Sequence, residues 1–248
     1  GTAGESGSED GTGSAARFNS AYGIAVDADG KVTLTQYAAI RHDDPADPDE
    51  TQEDGKAQTM AADLVTLSLT TWDGDGDSDK ATIDIGDAFH FEDDGPDITT
   101  VAGTLPVLTV SDATLNAAGP ISFAGFFDPD YGNDGQATTD AIIYALSVSL
   151  SGADSGLKDA VTGDAILLRA DGDTVEGYLA NDSTVVAFTV TVDAQGGITL
   201  DQLRAIEHND PTDPVESGGS AAAMTVAGLI SLTATITDGD GDQDSASL

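Results

Sequence analysis

The run Asp73-Gly74-Asp75-Gly76-Asp77-Ser78-Asp79 occurs a second time, 165 residues further on, as Asp238-Gly239-Asp240-Gly241-Asp242-Gln243-Asp244. Each copy places a carboxylate at every second position with glycine or a small polar residue between. Four like charges within seven residues repel one another, so neither run can enter an apolar core or a helix unaided. The flanks of the first copy, Leu64 to Thr71 and Ala81 to Ile85, alternate apolar and polar residues and are rich in Val, Ile and Thr. That period of two predicts strands. The fold must therefore carry acidic turns between strands, and carry them twice.

Hard oxygen ligands at this density suit calcium better than any other common cation. An EF-hand loop also begins Asp-x-Asp-x-Asp, but it needs glycine at its sixth position, a glutamate at its twelfth and helices on both sides. Counted from Asp73 those positions hold Ser78 and Asp84, and the flanks are strand-like. A plain hairpin turn needs one Asp-Gly pair, not two pairs with two further aspartates. Both loops accordingly read as calcium sites, with Asp73, Asp75, Asp77, Asp79, Asp84, Asp238, Asp240, Asp242 and Asp244 as candidate ligands.

Charge supports this. Asp and Glu number 45 against 8 Lys and Arg, a formal net charge of −37 over 248 residues. Such a surface repels nucleic acid and anionic lipid, so neither is an expected partner. Aromatics make up only 5 % of the chain, near the composition of disordered proteins, yet apolar residues reach 39 % and fall in alternating runs. Cations bound only when the chain is folded reconcile the two. A halophilic surface is the competing explanation, but it predicts scattered carboxylates where these cluster in turns. Cysteine is absent, which removes disulfides and thiolate sites, and no run of 18 apolar residues predicts a membrane span.

Residues 1–14 read as a flexible Gly/Ser/Glu-rich lead, not a signal peptide. Tyr22 to Val26 and Lys31 to Leu34 predict a hairpin around Asp27-Ala28-Asp29-Gly30. Thr33 and Gln36 resemble a capping box, and Leu34, Tyr37, Ala38 and Ile40 predict a short helix that Pro45 ends. An acidic loop fills 46–56. The stretch Phe89-His90-Phe91-Glu92-Asp93-Asp94-Gly95-Pro96 reads as a stiff linker whose Glu92, Asp93 and Asp94 could hold a cation at a domain junction. Further strands are expected at Val107 to Val110, Ile121 to Phe123, Ile143 to Leu150, Ala165 to Leu168 and Thr184 to Val192. Between them the oxygen-rich loop Asp128 to Gly135, with Asp128 and Asp130, is either a third calcium site or a turn.

The first half then recurs: Asp27 to Pro48 aligns with Asp193 to Pro214 at an offset of 166, including Gly30 with Gly196, Gln36 with Gln202 and His42 with His208. The chain is thus read as a tandem array with a unit of about 165 residues. Residues 1–97 are taken as the C-terminal part of one unit and 98–248 as the next, lacking its last strand and linker. The expected fold class is all-β, immunoglobulin-like β-sandwich repeats with one short helix per repeat.

Several of these runs together, Val65 to Asp79, Ile83 to Pro96, Ser155-Gly156-Leu157, Gly228 to Thr235 and the second aspartate loop, resemble the tandem repeats of giant type I secreted, RTX-type bacterial adhesins. The resemblance covers most of the chain from Tyr22 onward. It implies a secreted protein at the bacterial cell surface, whose calcium-bound sandwiches extend a binding region toward a surface, another cell or a biofilm matrix. It also implies calcium at both aspartate loops and at Glu92, Asp93 and Asp94, neighbouring repeats of the same chain as partners, and a glycan or matrix component as ligand. The expected role is non-enzymatic.

Other candidates are weaker. His42 and His208 sit at matched positions beside aspartates, but with no Ser or Cys nucleophile pattern they read as structural loop histidines. His90, between two phenylalanines, reads as an outward strand residue. Trp72, the only tryptophan, either packs on the first loop or stacks on a sugar, and the alternative to the extender is a calcium-dependent, lectin-like module that uses Trp72 or the Asp128 to Gly135 loop. Carboxylate pairs for glycoside hydrolysis do not stand out from the repeated acidic background.

Overall fold

The computed structural model describes residues 22–42, 50–51, 53, 55–208, 221–224 and 226–248. The Gly/Ser/Glu-rich lead at 1–14, most of the acidic loop at 46–56 and the Asp/Pro motifs at 43–48 and 210–214 lie outside the described residues. The described chain is all-β: its helical residues are two single 3-10 turns, Gly86–Ala88 and Ala124–Phe126. Among the described residues no helix is long and apolar enough to cross a membrane.

Two compact units form, and they are not consecutive in sequence. One comprises Gly1–Pro96, Tyr131–Thr139 and Thr237–Gln243; the other comprises Asp97–Asp130, Asp140–Ile236 and Asp244–Leu248. The first break between the units falls at Pro96 and Asp97, and the segments Tyr131–Thr139 and Thr237–Gln243 group with the first unit.

Among its described residues the first unit contains three short antiparallel pairs. Strands β1 (Tyr22–Val26) and β2 (Val32–Gln36) make the expected hairpin, with Ile24 opposite Leu34 and Val26 opposite Val32. The helix expected over Leu34 to Ile40 is absent: Val32, Thr33, Leu34 and Thr35 continue the pleat, because β-branched residues in a period of two fit the ladder and outweigh the Thr33/Gln36 cap pattern. Strand β3 (Gln58–Thr59) pairs with β6 (His90–Phe91), and β4 (Thr66–Trp72) pairs with β5 (Ser78–Asp84). Among its described residues Met60 and Phe91 are large buried apolar side chains, and the Phe91 ring lies 5.2 Å from that of Tyr22.

The second unit holds the larger core. Strands β8 (Ala117–Ser122), β11 (Ala153–Lys158), β12 (Ala165–Asp171), β13 (Thr174–Leu179), β14 (Asp182–Val192) and β15 (Gly197–Gln202) form a six-stranded sheet in the order β11-β12-β13-β14-β15-β8. A three-stranded sheet runs β10 (Ile142–Val148), β16 (Ile230–Thr237), β17 (Gln243–Ser247), and β10 packs across β12, β13 and β14. A further pair joins β7 (Asp97–Thr100) to β9 (Phe127–Asp130). Alternation decides what is buried: Leu232, Ala234 and Ile236 on β16, and Ile166, Leu168, Val175 and Phe188 in the six-stranded sheet, are all 6 % exposed or less. Val107 to Val110, expected as a strand, is not one.

Candidate metal centre

The two aspartate loops fold alike. In each, the first aspartate starts the turn and its backbone N–H donates to the carbonyl of the fifth residue, Asp73 to Asp77 at 2.9 Å and Asp238 to Asp242 at 3.1 Å. The Oδ1 of Asp73 accepts from the N–H groups of Gly76 and Asp77, as that of Asp238 does from Gly241 and Asp242. Gly76 and Gly241 sit at φ of 101° and 117°, a conformation open to glycine and costly for other residues. One face of each leading carboxylate is thereby consumed by the turn. The other is free to face whatever approaches.

At the first loop nothing else among the described residues adds to the group. Asp73, Asp75 and Asp77 bring carboxylate oxygens within 4.8 Å of one another, but all three are exposed to solvent. The hydrogen bond with Asp75 and the turn N–H groups hold the Asp73 carboxyl below the usual range.

The second loop meets side chains from two distant segments, and all of them lie in the first compact unit. Asp134, Asp238 and Asp240 form one group of three with ligand atoms within 4.8 Å, and His42, Asp93 and Asp240 form another. Asp238 is 1 % exposed, Asp242 3 % and His42 6 %. The approach of the Asp134 segment depends on Gly239, where a Cβ would stand 2.5 Å from the Asp134 carbonyl oxygen. The N–H of His42 donates to Asp240 Oδ2 at 2.8 Å, and the N–H of Asp93 donates to the Glu50 carbonyl at 3.0 Å.

Electrostatics make this arrangement costly by itself. Two unit charges 4–5 Å apart repel by about 4 kcal/mol at an effective dielectric constant near 20, and several such pairs approach the roughly 5–15 kcal/mol that holds a whole domain together. The carboxyls respond accordingly. Burial, with the adjoining Asp93 carboxyl and the charges of Asp240 and Asp238, pushes Asp242 up to about 8. Burial and the neighbouring Asp238 push Asp134 up to about 6. Asp238 is raised as well, by burial first. For Asp240 burial acts upward too, but the His42 N–H that donates to its Oδ2 and the adjoining carboxyls of Asp238 and Asp134 together leave it lowered.

Most telling are buried atoms with no hydrogen-bond partner among the described residues: both oxygens of Asp134, and Oδ2 of Asp93, Oδ1 of Asp240 and Oδ2 of both Asp238 and Asp242. Orphaned buried acceptors are rare in folded proteins, and each costs about 1–3 kcal/mol or more. Six from five carboxylates make this group, among the described residues, a place where a divalent cation would fit. Calcium takes six to eight oxygens, mono- or bidentate, which this donor set fits.

The remaining sequence candidates lie elsewhere. Asp79 is paired with Thr71 in the β4–β5 ladder. Asp84 accepts from the N–H groups of Asp63 and Gly86, and these bonds lower its carboxyl below the usual range. Glu92 is exposed, and Asp94 accepts from Asn133 Nδ2 at 2.6 Å. Asp128 and Asp130 are exposed on β9, and Asp244 accepts from the Ile98 N–H at 2.9 Å. Trp72 is 70 % exposed. His42, read from sequence as a loop residue, and Asp134, within the oxygen-rich loop but not named as a ligand there, complete the centre. The signal for both was present: a histidine repeated at a matched position, and an acidic loop carrying more oxygens than a turn requires.

An all-β chain with two equivalent acidic hairpin loops, one of them gathered into a buried carboxylate and imidazole cluster, defines the class. The chain belongs to the family described as a domain of unknown function, DUF5801, whose model matches residues 6–86 and 107–248. Each matched span carries one copy of the aspartate loop. No curated protein and no solved structure matches the chain.

Proposed function

We propose that the chain is a non-enzymatic, calcium-stabilised extender segment of a large secreted bacterial surface adhesin, which projects a binding region from the cell for attachment or biofilm formation. The carrying observation is the set of orphaned buried carboxylate oxygens brought together from residues 93, 134 and 238–242. Asp134, Asp238 and Asp240, with Asp93 and Asp242 beside them, would hold calcium, which neutralises the clustered charge and ties three distant chain segments together. In this reading the two sheets of the second unit are an immunoglobulin-like sandwich, supported by β10 crossing β12, β13 and β14. If calcium binds only the folded chain, each site adds about 2.7 kcal/mol at a hundredfold excess over Kd. Thermal melting followed by circular dichroism, with calcium and with EDTA, tests this. A large calcium-dependent shift is expected, and superimposable curves would sink it.

A second reading, a calcium-dependent lectin-like module, is favoured by one observation: Trp72 is 70 % exposed next to the first aspartate loop. Glycan-array binding abolished by Trp72→Ala would establish it, and an array without hits would leave the extender reading alone.

A further inference from the structure

Calcium accounts for the carboxylates of the cluster but not for His42, since calcium takes oxygen and not nitrogen. The His42 side chain is 2 % exposed. Its Nε2 lies 3.1 Å from the carbonyl oxygen of Phe91, and a carbonyl can only accept, so Nε2 carries the proton. Nδ1 is then the ring nitrogen turned toward the cluster, with Asp93 Oδ1 at 3.2 Å and Asp240 Oδ2 at 3.9 Å. Despite these distances Nδ1 has no hydrogen-bond partner among the described residues. A buried ring nitrogen and two carboxylates gathered within 4.8 Å of one another are a donor set for a metal ion. Donation of the far ring nitrogen to a backbone carbonyl is also how metal-binding histidines are oriented and made more basic.

Asp240 belongs to both groups of three, that with His42 and Asp93 and that with Asp134 and Asp238. Its Oδ2 is turned toward His42 and held there by the His42 N–H, while its Oδ1 is buried without a partner among the described residues. One carboxylate thus offers an oxygen to each group.

We propose that the cluster is a two-cation centre bridged by Asp240, in which His42, Asp93 and Asp240 bind a borderline divalent ion of the zinc type while Asp134, Asp238 and Asp240 bind calcium. The division follows from ligand chemistry. A mixed nitrogen and oxygen set favours zinc and cobalt over calcium, and an all-carboxylate set does the reverse. The inference rests on reading the cluster as a cation centre, but it does not require the extender role to be right.

The test uses the full chain, stripped with chelator and returned to saturating calcium, then titrated with Co2+ as a visible-absorbing probe and with Zn2+ in competition. One Co2+ per chain is expected, with absorption bands of nitrogen-containing coordination that Zn2+ bleaches. His42→Gln should weaken Co2+ and Zn2+ by at least about tenfold, as loss of a ligand or its immediate support does; His90→Gln should leave Co2+, Zn2+ and calcium binding as they were. Since His42→Gln stands to perturb folding, long-range 15N spectra of the wild-type histidines give a second reading: one of the three should shift at Nδ1 on adding zinc. Failure of Co2+ and Zn2+ to bind in calcium, or binding that His42→Gln leaves unchanged, would overturn the proposal. Calcium-dependent melting without zinc binding would sink this inference and spare the extender reading. Zinc binding through His42 without calcium-dependent melting would do the opposite.

Discussion

Residues 73–79 and 238–244 are two copies of one loop, with the same turn hydrogen bonds and the same positive-φ glycine, yet one is a solvated hairpin and the other the heart of a buried cluster. The strands feeding them differ in the same way. On β4, Leu69 is 66 % exposed; its counterpart on β16, Ala234, is fully buried between β10 and β17. Local sequence therefore builds the cradle, and distant segments decide whether it becomes a site. Here those segments are the ones carrying His42, Asp93 and Asp134.

The largest effect should come from removing the cation. A site worth about 2.7 kcal/mol at a hundredfold excess, at about 2–4 °C per kcal/mol for a domain of this size, puts the loss of melting temperature on EDTA addition at roughly 5–10 °C per site. Adding EDTA should reproduce that shift whether or not the first loop is intact. Next in size is a matched pair of variants. Asp238→Asn keeps an acceptor for the turn but lowers the charge of the cluster, so it should abolish most of the calcium shift and, in EDTA, raise the melting temperature above that of the wild type by relieving repulsion. Asp73→Asn should leave both curves in place. A calcium shift lost equally in both variants would erase the distinction between the loops.

Gly239 and Gly74 sharpen it further. A methyl at Gly239 would strike the Asp134 carbonyl, whereas nothing lies within 4 Å of the same point at Gly74. Gly239→Ala should cost about 1–3 kcal/mol, the usual penalty of overpacking, and weaken calcium; Gly74→Ala should be close to neutral. Equal effects in urea denaturation would mean that the Asp134 segment is not held against the second loop.

The smallest expected effect lies outside both loops and serves as their control. Asp159 is fully buried against Arg204, with side-chain distances of 2.7 and 3.0 Å, and the Arg204 hydrogen bonds hold its carboxyl well below the usual range. A carboxyl depressed in the folded state contributes stability above its unfolded pKa, near 4, and loses it as pH falls toward the folded value. Stability from this pair should be constant from pH 5 to 8 and decline below pH 4, with or without calcium. A decline between pH 5 and 8 that Asp159→Asn removes would contradict the assignment.

Much of the fold was legible in the sequence because alternation in a strand reports its buried face directly. The period-two runs at Leu64 to Thr71, Ile143 to Leu150 and Thr184 to Val192 are β4, β10 and β14 to within two residues. Strand β13 was not legible, since glycine occupies one of its inward positions. Gly177 is there because the Phe188 ring fills the space a Cβ would need. The helix failed for the opposite reason, local cap chemistry overridden by ladder pairing. At the site, Asp93, Asp238, Asp240 and Asp242 were legible from charge density alone. Asp134 and His42 were not, because their role depends on which segments converge, and the loop at 73–79 carries the same local pattern without them.

Calorimetric titration of calcium into chelator-stripped protein, comparing Asp240→Asn with its counterpart Asp75→Asn, tests the account most directly. The tightest calcium-binding heat should survive Asp75→Asn unchanged and vanish in Asp240→Asn. Retention of that heat in Asp240→Asn, or its loss in Asp75→Asn, would contradict the claim that the buried loop holds the ion.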